Sequence, residues 1–178
     1  PVHYAGVACE METILAVAAE HRLPVIEDAA QGVNATYRGR HLGTIGDCGA
    51  YSFHESKNIV CGEGGALLVN RPELVERAEI LREKGTDRAR FFRGQVDKYT
   101  WLDVGSSYIP ADILAAVLEI QLRHMESITA ARRRIFEAYQ RHLEPLANRG
   151  LAMLPVIPGD CVANYHMFYL LVADLATH

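Results

Sequence analysis

The sequence lacks the spaced cysteines, the long apolar runs and the targeting segments that mark several classes of protein. Four cysteines are present, but no two form a Cys-x-x-Cys pair and no paired histidines accompany them. The pattern therefore predicts neither a metal site nor a disulfide framework. The sequence shows no signal peptide and no apolar stretch long enough to cross a bilayer. We therefore expect no membrane association and a reducing, cytoplasmic location.

Dense positive charge is also scarce. The 178 residues carry a formal net charge of -4, which argues against a nucleic-acid partner. The one dense basic run, Arg132-Arg133-Arg134, lies in a helical pattern and is predicted to form a solvated helix face. A composition of 49% hydrophobic and 22% charged residues suits an α/β globule with a buried core.

Helix and strand patterns alternate in the first part of the chain. Apolar spacing predicts a helix from Cys9 to Arg22, followed at once by a strand from Pro24 to Glu27. Two more strands are predicted at Gly49 to Phe53 and at Ala66 to Asn70. This alternation indicates a mostly parallel sheet flanked by helices.

The remaining segments are predicted with the same rules. They are a strand tail at Pro1 to Tyr4, a hairpin-like or irregular loop at Asn34 to Asp47, a helix from Pro72 to about Lys84, an irregular loop at Thr86 to Ser107, a long helix from Pro110 to about Leu143, and strands at Leu151 to Val156 and at His166 to Val172.

A lysine follows the second predicted strand. Lys57 stands between the strand that ends at Phe53 and the glycine-rich run Gly62-Glu63-Gly64-Gly65. Apolar walls and close backbone can desolvate an amine at such a place and make it nucleophilic. By itself a lysine in a loop is more often a solvated surface charge.

A carboxylate follows the first predicted strand. Asp28 ends an apolar β-branched run, at the sheet edge where open α/β folds bind ligands. Taken alone, Asp28 also suits a turn or helix cap. Taken with Lys57, it matches the two fixed points of a pyridoxal phosphate site, the Schiff-base lysine and the carboxylate that keeps the pyridine nitrogen protonated.

Several motifs carry a family resemblance. Ile26-Glu27-Asp28-Ala29-Ala30-Gln31 and Ser52-Phe53-His54-Glu55-Ser56-Lys57-Asn58, with the glycine-rich run that follows, resemble the sugar-nucleotide aminotransferases of the DegT/StrS type. Segments at 1–6, 91–101 and 164–169 extend the likeness to essentially the whole chain. The resemblance implies a fold-type I pyridoxal phosphate enzyme, with Lys57 as the Schiff-base and acid/base residue and Asp28 as the partner of the pyridine nitrogen.

The resemblance assigns further residues to the site. Gln31 would meet the ring or the phenolate oxygen of the cofactor, with ordinary turn polarity as the alternative. Ser52 would donate its hydroxyl to the phosphate, unless that hydroxyl bonds the backbone. His54 is a candidate pocket residue for substrate or a structural histidine, and Asn58 is a further substrate candidate. Ser107 stands where many members carry an asparagine that reaches the phosphate of the neighbouring subunit; a hydroxyl can still donate there.

The resemblance also implies a domain organisation. Residues 1–128 would be the C-terminal part of the large cofactor-binding domain, and residues 129–178 the beginning of a small α+β domain. Family members are about twice as long, so we interpret the chain as a fragment. The missing half would supply the phosphate-binding helix N-terminus and the ring that stacks on the pyridine, and we expect weak or no cofactor retention without it.

The function implied is transfer of an amino group from glutamate to the 4-keto carbon of a dTDP-4-keto-6-deoxyhexose such as dTDP-4-keto-6-deoxyglucose. The product would serve lipopolysaccharide or related surface polysaccharide synthesis, for example enterobacterial common antigen, and the enzyme would be a homodimer with shared active sites. One alternative is a sugar 3-dehydratase of the same fold, which Lys57 opposes because those enzymes carry histidine there. Another is an inactive fragment that folds and self-associates through an unpaired sheet edge and exposed apolar faces.

Overall fold

A computed structural model describes residues 1–172 of the chain. Its main sheet contains β1 (Ile26–Asp28), β4 (Cys48–Ser52) and β5 (Gly65–Val69), in the order β1-β4-β5. β1 runs parallel to β4, and Val2 adds a parallel bridge to Asp28, whereas β5 is antiparallel to β4. The predicted strands and the mostly parallel sheet are confirmed, with one antiparallel strand at the edge.

The first helix covers one face of this sheet. α1 (Met11–His21) begins and ends within two residues of the predicted helix. Its buried Met11 and Ala18 pack with Val25, Ala29 and other apolar residues into the first of two hydrophobic clusters. The second cluster lies under the Lys57 loop and joins it to the long helices. Its buried members are Val33, Phe53, Ile59 and Cys61, against which Leu114, Leu118, Met125 and Ile128 pack.

Short elements connect the sheet to the rest of the chain. β2 (Thr36–Tyr37) and β3 (Arg40–His41) form a small hairpin, and β7 (Cys161–Val162) pairs with β2. A turn at Pro72–Leu74 leads into α2 (Val75–Arg82), as predicted. The segment after it is irregular apart from the short α3 (Arg88–Phe92).

The long helix predicted from Pro110 is interrupted. α4 (Asp112–Arg123) and α5 (Met125–Asn148) meet at His124, whose backbone leaves the helical region at φ -101 and ψ 9. α5 runs five residues beyond the predicted end at Leu143 and contains Pro145. The domain boundary predicted near Thr129 falls inside α5.

The two predicted C-terminal strands are much shorter than expected. Only β6 (Ala152–Met153) and β8 (Leu171–Val172) form ladder pairs, with each other. Pro155 has no N–H to donate, which ends the first of them. Residues 165–168 place their rings against α5 instead of extending the second: Tyr165 and Phe168 lie 5.3 and 5.0 Å from Phe136 by ring centroid. The prediction of a small domain over 129–178 extends in part outside the described residues.

Candidate functional site

The carboxyl ends of two parallel strands define one edge of the sheet. β1 ends at Asp28 and β4 at Ser52, and the register pairs Asp28 with Ala50. Since paired residues point to the same side of a sheet, Asp28, Ala50 and Ser52 share the face opposite α1. The loop that carries Lys57 leaves β4 at this edge and returns at Gly65, the partner of Ser52. The structure therefore brings Asp28, Ser52 and the Lys57 loop to one edge.

Asp28 is exposed on the sheet face opposite α1. One carboxylate oxygen accepts a hydrogen bond from the Ala30 N–H at 3.0 Å, which is the turn contact considered as an alternative. The other oxygen has no hydrogen-bond partner among residues 1–172. The main chain of Asp28 is fixed by two bonds to the N-terminal segment: its N–H donates to Pro1 at 2.9 Å and its carbonyl accepts from His3 at 3.0 Å. One turn contact thus leaves part of the carboxylate available.

A buried acid stands next to Asp28 and points to the opposite side of the sheet. Glu27 and His3 are fully buried, and their side chains meet at 2.8 Å. The Glu27 carboxylate also accepts the N–H groups of Gly43 (2.8 Å), Ile45 and Gly46 (both 2.6 Å). Burial opposes ionisation of this carboxyl, but the bonds from His3 and the three N–H groups outweigh it and lower the pKa of Glu27. Sequence analysis gave this pair no role, since nothing local connects His3 to Glu27.

Lys57 lies half-buried in a loop whose backbone is closely bonded. Ile59 and Cys61, which follow it, are buried in the second hydrophobic cluster. Burial, together with the nearby charge of Glu63, raises the pKa of the Cys61 thiol. Four backbone hydrogen bonds close the loop: Phe53 to Gly64 at 2.9 Å, Glu55 to Gly62 at 3.0 Å, Lys57 to His54 at 3.0 Å, and Cys61 to Phe53 at 2.8 Å.

The three other candidate residues near Lys57 are Ser52, His54 and Asn58, and they differ in burial and in hydrogen-bond partners. The Ser52 hydroxyl accepts a long bond of 3.4 Å from the His54 N–H, so its own proton can still be donated. The His54 ring lies 2.9 Å from the Ser56 hydroxyl and 3.7 Å from the carboxylate of Glu63. Asn58 is buried, donates to the Val33 carbonyl at 2.9 Å, and has no partner for its Oδ1 among residues 1–172. His54 thus lies at the surface of the loop, and Asn58 within it.

Gln31 is held by a backbone group on one side. Its Oε1 accepts the Ala5 N–H at 2.7 Å, from a turn in which Ala5 has a positive φ of 58. This bond leaves the amide NH2 as the group that Gln31 can present. Fully buried Asn164, a residue that the sequence gave no site role, donates to the carbonyls of Gln31 at 2.7 Å and Val33 at 2.8 Å.

Ser107 lies apart from these residues. Its backbone bridges to Glu83, just after α2, and the residue is exposed. Within residues 1–172 its side chain makes no hydrogen bond, and none joins it to Asp28 or Lys57. The predicted role of Ser107, toward a neighbouring subunit, stays a prediction.

One member of the basic run is not a solvated surface charge. Arg133 and Arg134 are exposed on α5, as predicted, but Arg132 is half-buried. Its guanidinium donates to the carbonyl of His166 at 3.1 Å and, more weakly, to that of Lys57 at 3.5 Å. Burial lowers the pKa of Arg132. The prediction was therefore wrong for Arg132, because the burial depends on a loop 75 positions away in sequence.

His166 lies near the two cationic side chains of Arg132 and Lys57. Its Nδ1 is buried and has no hydrogen-bond partner in the part of the chain that the structure describes. Burial, then the charges of Arg132 and Lys57, lower the pKa of His166. Among residues 1–172, neither Lys57, Arg132 nor His166 forms an ion pair with a carboxylate.

Residues 1–172 contain neither a candidate metal centre nor a candidate membrane-spanning helix. Within the described residues, no group of three or more histidine, cysteine, aspartate or glutamate side chains could hold a metal ion. Over the same residues, no helix has both the length and the apolar character needed to cross a membrane.

Comparison with known proteins gives the class first. An aminotransferase from Psychrobacter cryohalolentis superposes with a TM-score of 0.87 at 31% identity, over 96% of this chain and 46% of that one. DesV of S. venezuelae, solved in complex with a ketimine intermediate, superposes with a TM-score of 0.82 at 34% identity, over 97% and 43%. The fold is therefore that of the pyridoxal phosphate-dependent aminotransferases, whose large domain it matches in its helix-flanked sheet.

The family follows from the sequence match. Residues 1–177 match the DegT/DnrJ/EryC1/StrS aminotransferase family, and the chain belongs to it. GDP-perosamine synthase of Caulobacter vibrioides is 41% identical over 175 residues, which cover 98% of this chain and 44% of that protein. The chain thus spans less than half the length of the relatives that it matches. The predicted family is confirmed.

Proposed function

We propose that this chain is the lysine-bearing part of a pyridoxal phosphate-dependent aminotransferase that acts on a nucleotide sugar. The observation that carries the proposal is the shared edge, where Asp28, Ser52 and the Lys57 loop meet at the carboxyl ends of β1 and β4. One Asp28 oxygen has no hydrogen-bond partner in residues 1–172, and the residue paired with Asp28 on β4 is the small Ala50. These residues fit the cofactor of the family.

The side chains would divide the work by their chemistry. Asp28 would accept a hydrogen bond from the pyridine nitrogen and hold its proton, and the Gln31 NH2 would donate to an oxygen of the ring. The Ser52 hydroxyl would donate to the phosphate. Lys57 would hold the cofactor covalently through its amine. Once the amino group has been handed over, the same amine would act as the general acid and base of the 1,3-proton shift. When bound, pyridoxal phosphate supplies the electron sink for this chemistry.

The substrates are proposed on the motifs and on the relatives. The resemblance of the motifs supports glutamate as amino donor and the 4-keto carbon of a dTDP-4-keto-6-deoxyhexose as acceptor. The same motifs resemble those of the enterobacterial common antigen transaminases, which supports a dTDP-linked acceptor. The likeness to GDP-perosamine synthase supports a nucleotide-linked sugar in general and makes a GDP-linked acceptor the competitor to test. A homodimer with shared sites, Ser107 serving the partner's phosphate, completes this proposal.

The decisive experiment uses the complete gene product that contains this chain. Incubation with pyridoxal phosphate, borohydride reduction and peptide mass spectrometry should place the cofactor on Lys57. Lys57→Ala should remove both the visible absorbance and the transfer of nitrogen from glutamate. The surface variant Lys98→Ala is the matched control and should keep both. A cofactor that attaches elsewhere, or transamination that survives Lys57→Ala, would refute the proposal.

A parallel assay decides the acceptor. The same protein would be given dTDP-linked and GDP-linked 4-keto-6-deoxyhexoses, with amino-sugar formation followed by mass spectrometry. Preference for the dTDP sugar by kcat/KM supports the proposed acceptor. Preference for the GDP sugar replaces it and leaves the aminotransferase proposal intact.

A second candidate function concerns the isolated 178-residue chain. The sheet face that carries Asp28 also exposes Ile26 (65%) and Leu67 (60%), apolar side chains that protein normally covers. We propose that the isolated chain folds, binds the cofactor weakly and associates through this face. Its absorbance spectrum with added pyridoxal phosphate, set beside that of the complete protein, tests the weak binding.

A further inference from the structure

Arg132 has no carboxylate partner in the described part of the chain. It is half-buried on α5, and two backbone carbonyls, those of His166 and Lys57, are its hydrogen-bond acceptors in residues 1–172. These bonds leave most of the guanidinium N–H groups available. A buried charge is costly unless it is paired, and carbonyl dipoles offset only part of that cost. The position of Arg132 therefore favours an anionic ligand.

His166 adds a second group to the same place. Arg132 and His166 both line a crevice of about 160 Å³, whose apolar walls include Phe136 and Tyr165. The buried His166 Nδ1 has no partner in the described part of the chain. Buried polar atoms without partners are rare in proteins, and each one calls for an explanation such as a bound ligand. The lining of the crevice thus contains the Arg132 guanidinium, the His166 imidazole and apolar side chains, and it includes no carboxylate.

We propose that Arg132 and His166 form a carboxylate-binding subsite beside Lys57 that takes a carboxylate of the amino donor. The proposal rests on the proposed function for the identity of the donor, although the anion site itself does not. The planar guanidinium matches a carboxylate with two parallel hydrogen bonds. The loop that carries Lys57 is bonded to the same arginine, so a donor held there would lie near the reacting amine.

The size of the crevice decides between the two substrates. Pockets for drug-sized ligands occupy roughly 300–1,000 Å³, about two to six times the volume found here. A small dicarboxylate can place one end in this space, which is too small to enclose a whole nucleotide sugar. The electrostatic environment agrees: burial, then the charges of Arg132 and Lys57, lower the pKa of His166, and no described carboxylate counters these charges.

The test measures binding and needs no turnover. Succinate, an unreactive dicarboxylate, would be titrated into the complete protein by isothermal calorimetry. Arg132→Gln should raise the Kd of succinate by about 10- to 100-fold, the range for losing a charge-assisted hydrogen bond. His166→Phe should raise it by about 3- to 30-fold, as for a weaker neutral donor. Arg134→Gln, an exposed neighbour on the same helix, is the matched control and should bind as the wild type does.

Several results would overturn the subsite. They are a wild type that does not bind succinate, an Arg132→Gln variant that binds like Arg134→Gln, and a site that takes inorganic phosphate but not succinate. Should Arg132→Gln fail to fold by circular dichroism, Arg132→Lys decides: it keeps the charge but loses the planar fork, and should weaken succinate by at least about threefold. Equal affinity would again reject the proposal.

The outcome is separable from that of the proposed function. If the cofactor fails to attach to Lys57 but succinate binding depends on Arg132, the aminotransferase proposal falls and the anion subsite stands. If the cofactor attaches and Arg132→Gln leaves the Kd of succinate and the KM of glutamate unchanged, the subsite alone falls.

Discussion

At the residue scale, Glu27 is the charge on which the first strand depends. It sits between the ring of His3 and three backbone N–H groups, with no exposure to solvent. The bonds join the N-terminal segment, β1 and the loop before β4. Because Asp28 follows directly, the backbone that presents the candidate cofactor ligand is fixed by its buried neighbour.

We expect Glu27→Gln to destabilise the fold by about 3 kcal/mol, since breaking a buried ionic network leaves its partners unsatisfied. Urea unfolding at pH 7 measures the loss. Exposed Glu12, paired with Arg38, is the control: Glu12→Gln should cost less than about 1 kcal/mol. Similar losses for the two variants would contradict the role given to Glu27.

The pH dependence of stability follows from the same site. The folded-state pKa of Glu27 is lowered, so its contribution is complete above the unfolded value of the carboxyl and is lost as pH falls through the folded value. Urea midpoints should therefore drop as the pH is lowered below the ordinary carboxyl range. The drop should be smaller in Glu27→Gln, and an equal drop would assign the acid sensitivity to other groups.

At the element scale, the strands could be predicted from the sequence, but the long-range side-chain contacts that connect the elements could not. β1, β4 and β5 are short apolar runs that end at polar or glycine residues, which local rules recognise. The edge that holds Asp28 and Lys57 was predictable for that reason. Arg132 and Asn164 were not, because their partners lie 75 and 131 to 133 positions away. No local pattern records such a contact.

Asn164 connects the C-terminal segment to the loop after β1. Its amide donates to two carbonyls of the loop after β1, and its Oδ1 accepts the His166 N–H at 3.0 Å. Asn164→Asp places a carboxylate against those carbonyls, and we expect a loss of about 2–3 kcal/mol with faster opening of residues 29–34. Hydrogen exchange by mass spectrometry measures that opening.

The control for Asn164 is the exposed Asn148 at the end of α5. Asn148→Asp should change stability by less than about 1 kcal/mol, since only the helix dipole opposes the new charge. Unchanged exchange over 29–34 in Asn164→Asp would show that the C-terminal segment does not hold this loop.

At the scale of the whole molecule, the two sides of the sheet are covered to different degrees. The loop at 42–46 and α1 bury the Glu27 and Gly49 side. On the other side α2 lies across a cavity from Ala50 and Leu67, and Ile26 and Leu67 stay exposed. The chain spans less than half the length of its relatives, and exposed apolar side chains such as Ile26 and Leu67 are typical of surfaces that contact other protein. The same face carries the candidate cofactor ligands.

We expect the isolated chain to self-associate through this face. Leu67→Glu should shift sedimentation-velocity profiles toward the monomer, because it places a charge in the apolar patch. Val156→Glu, at a site 75% exposed outside the sheet, should leave the profile unchanged. A monomeric wild type, or equal effects of the two variants, would exclude this face as the contact.

The Lys57 loop also contains its own reporter. Cys61 is buried four positions after Lys57, its thiol donates to the Glu63 carbonyl at 3.3 Å, and burial raises its pKa. Thiolate, rather than thiol, reacts with alkylating reagents. The closed loop therefore protects Cys61 in two ways: it blocks access of the reagent, and it keeps the thiol protonated. The alkylation rate of Cys61 therefore measures how often the Lys57 loop opens. We expect this rate to fall when a bound molecule holds the loop closed.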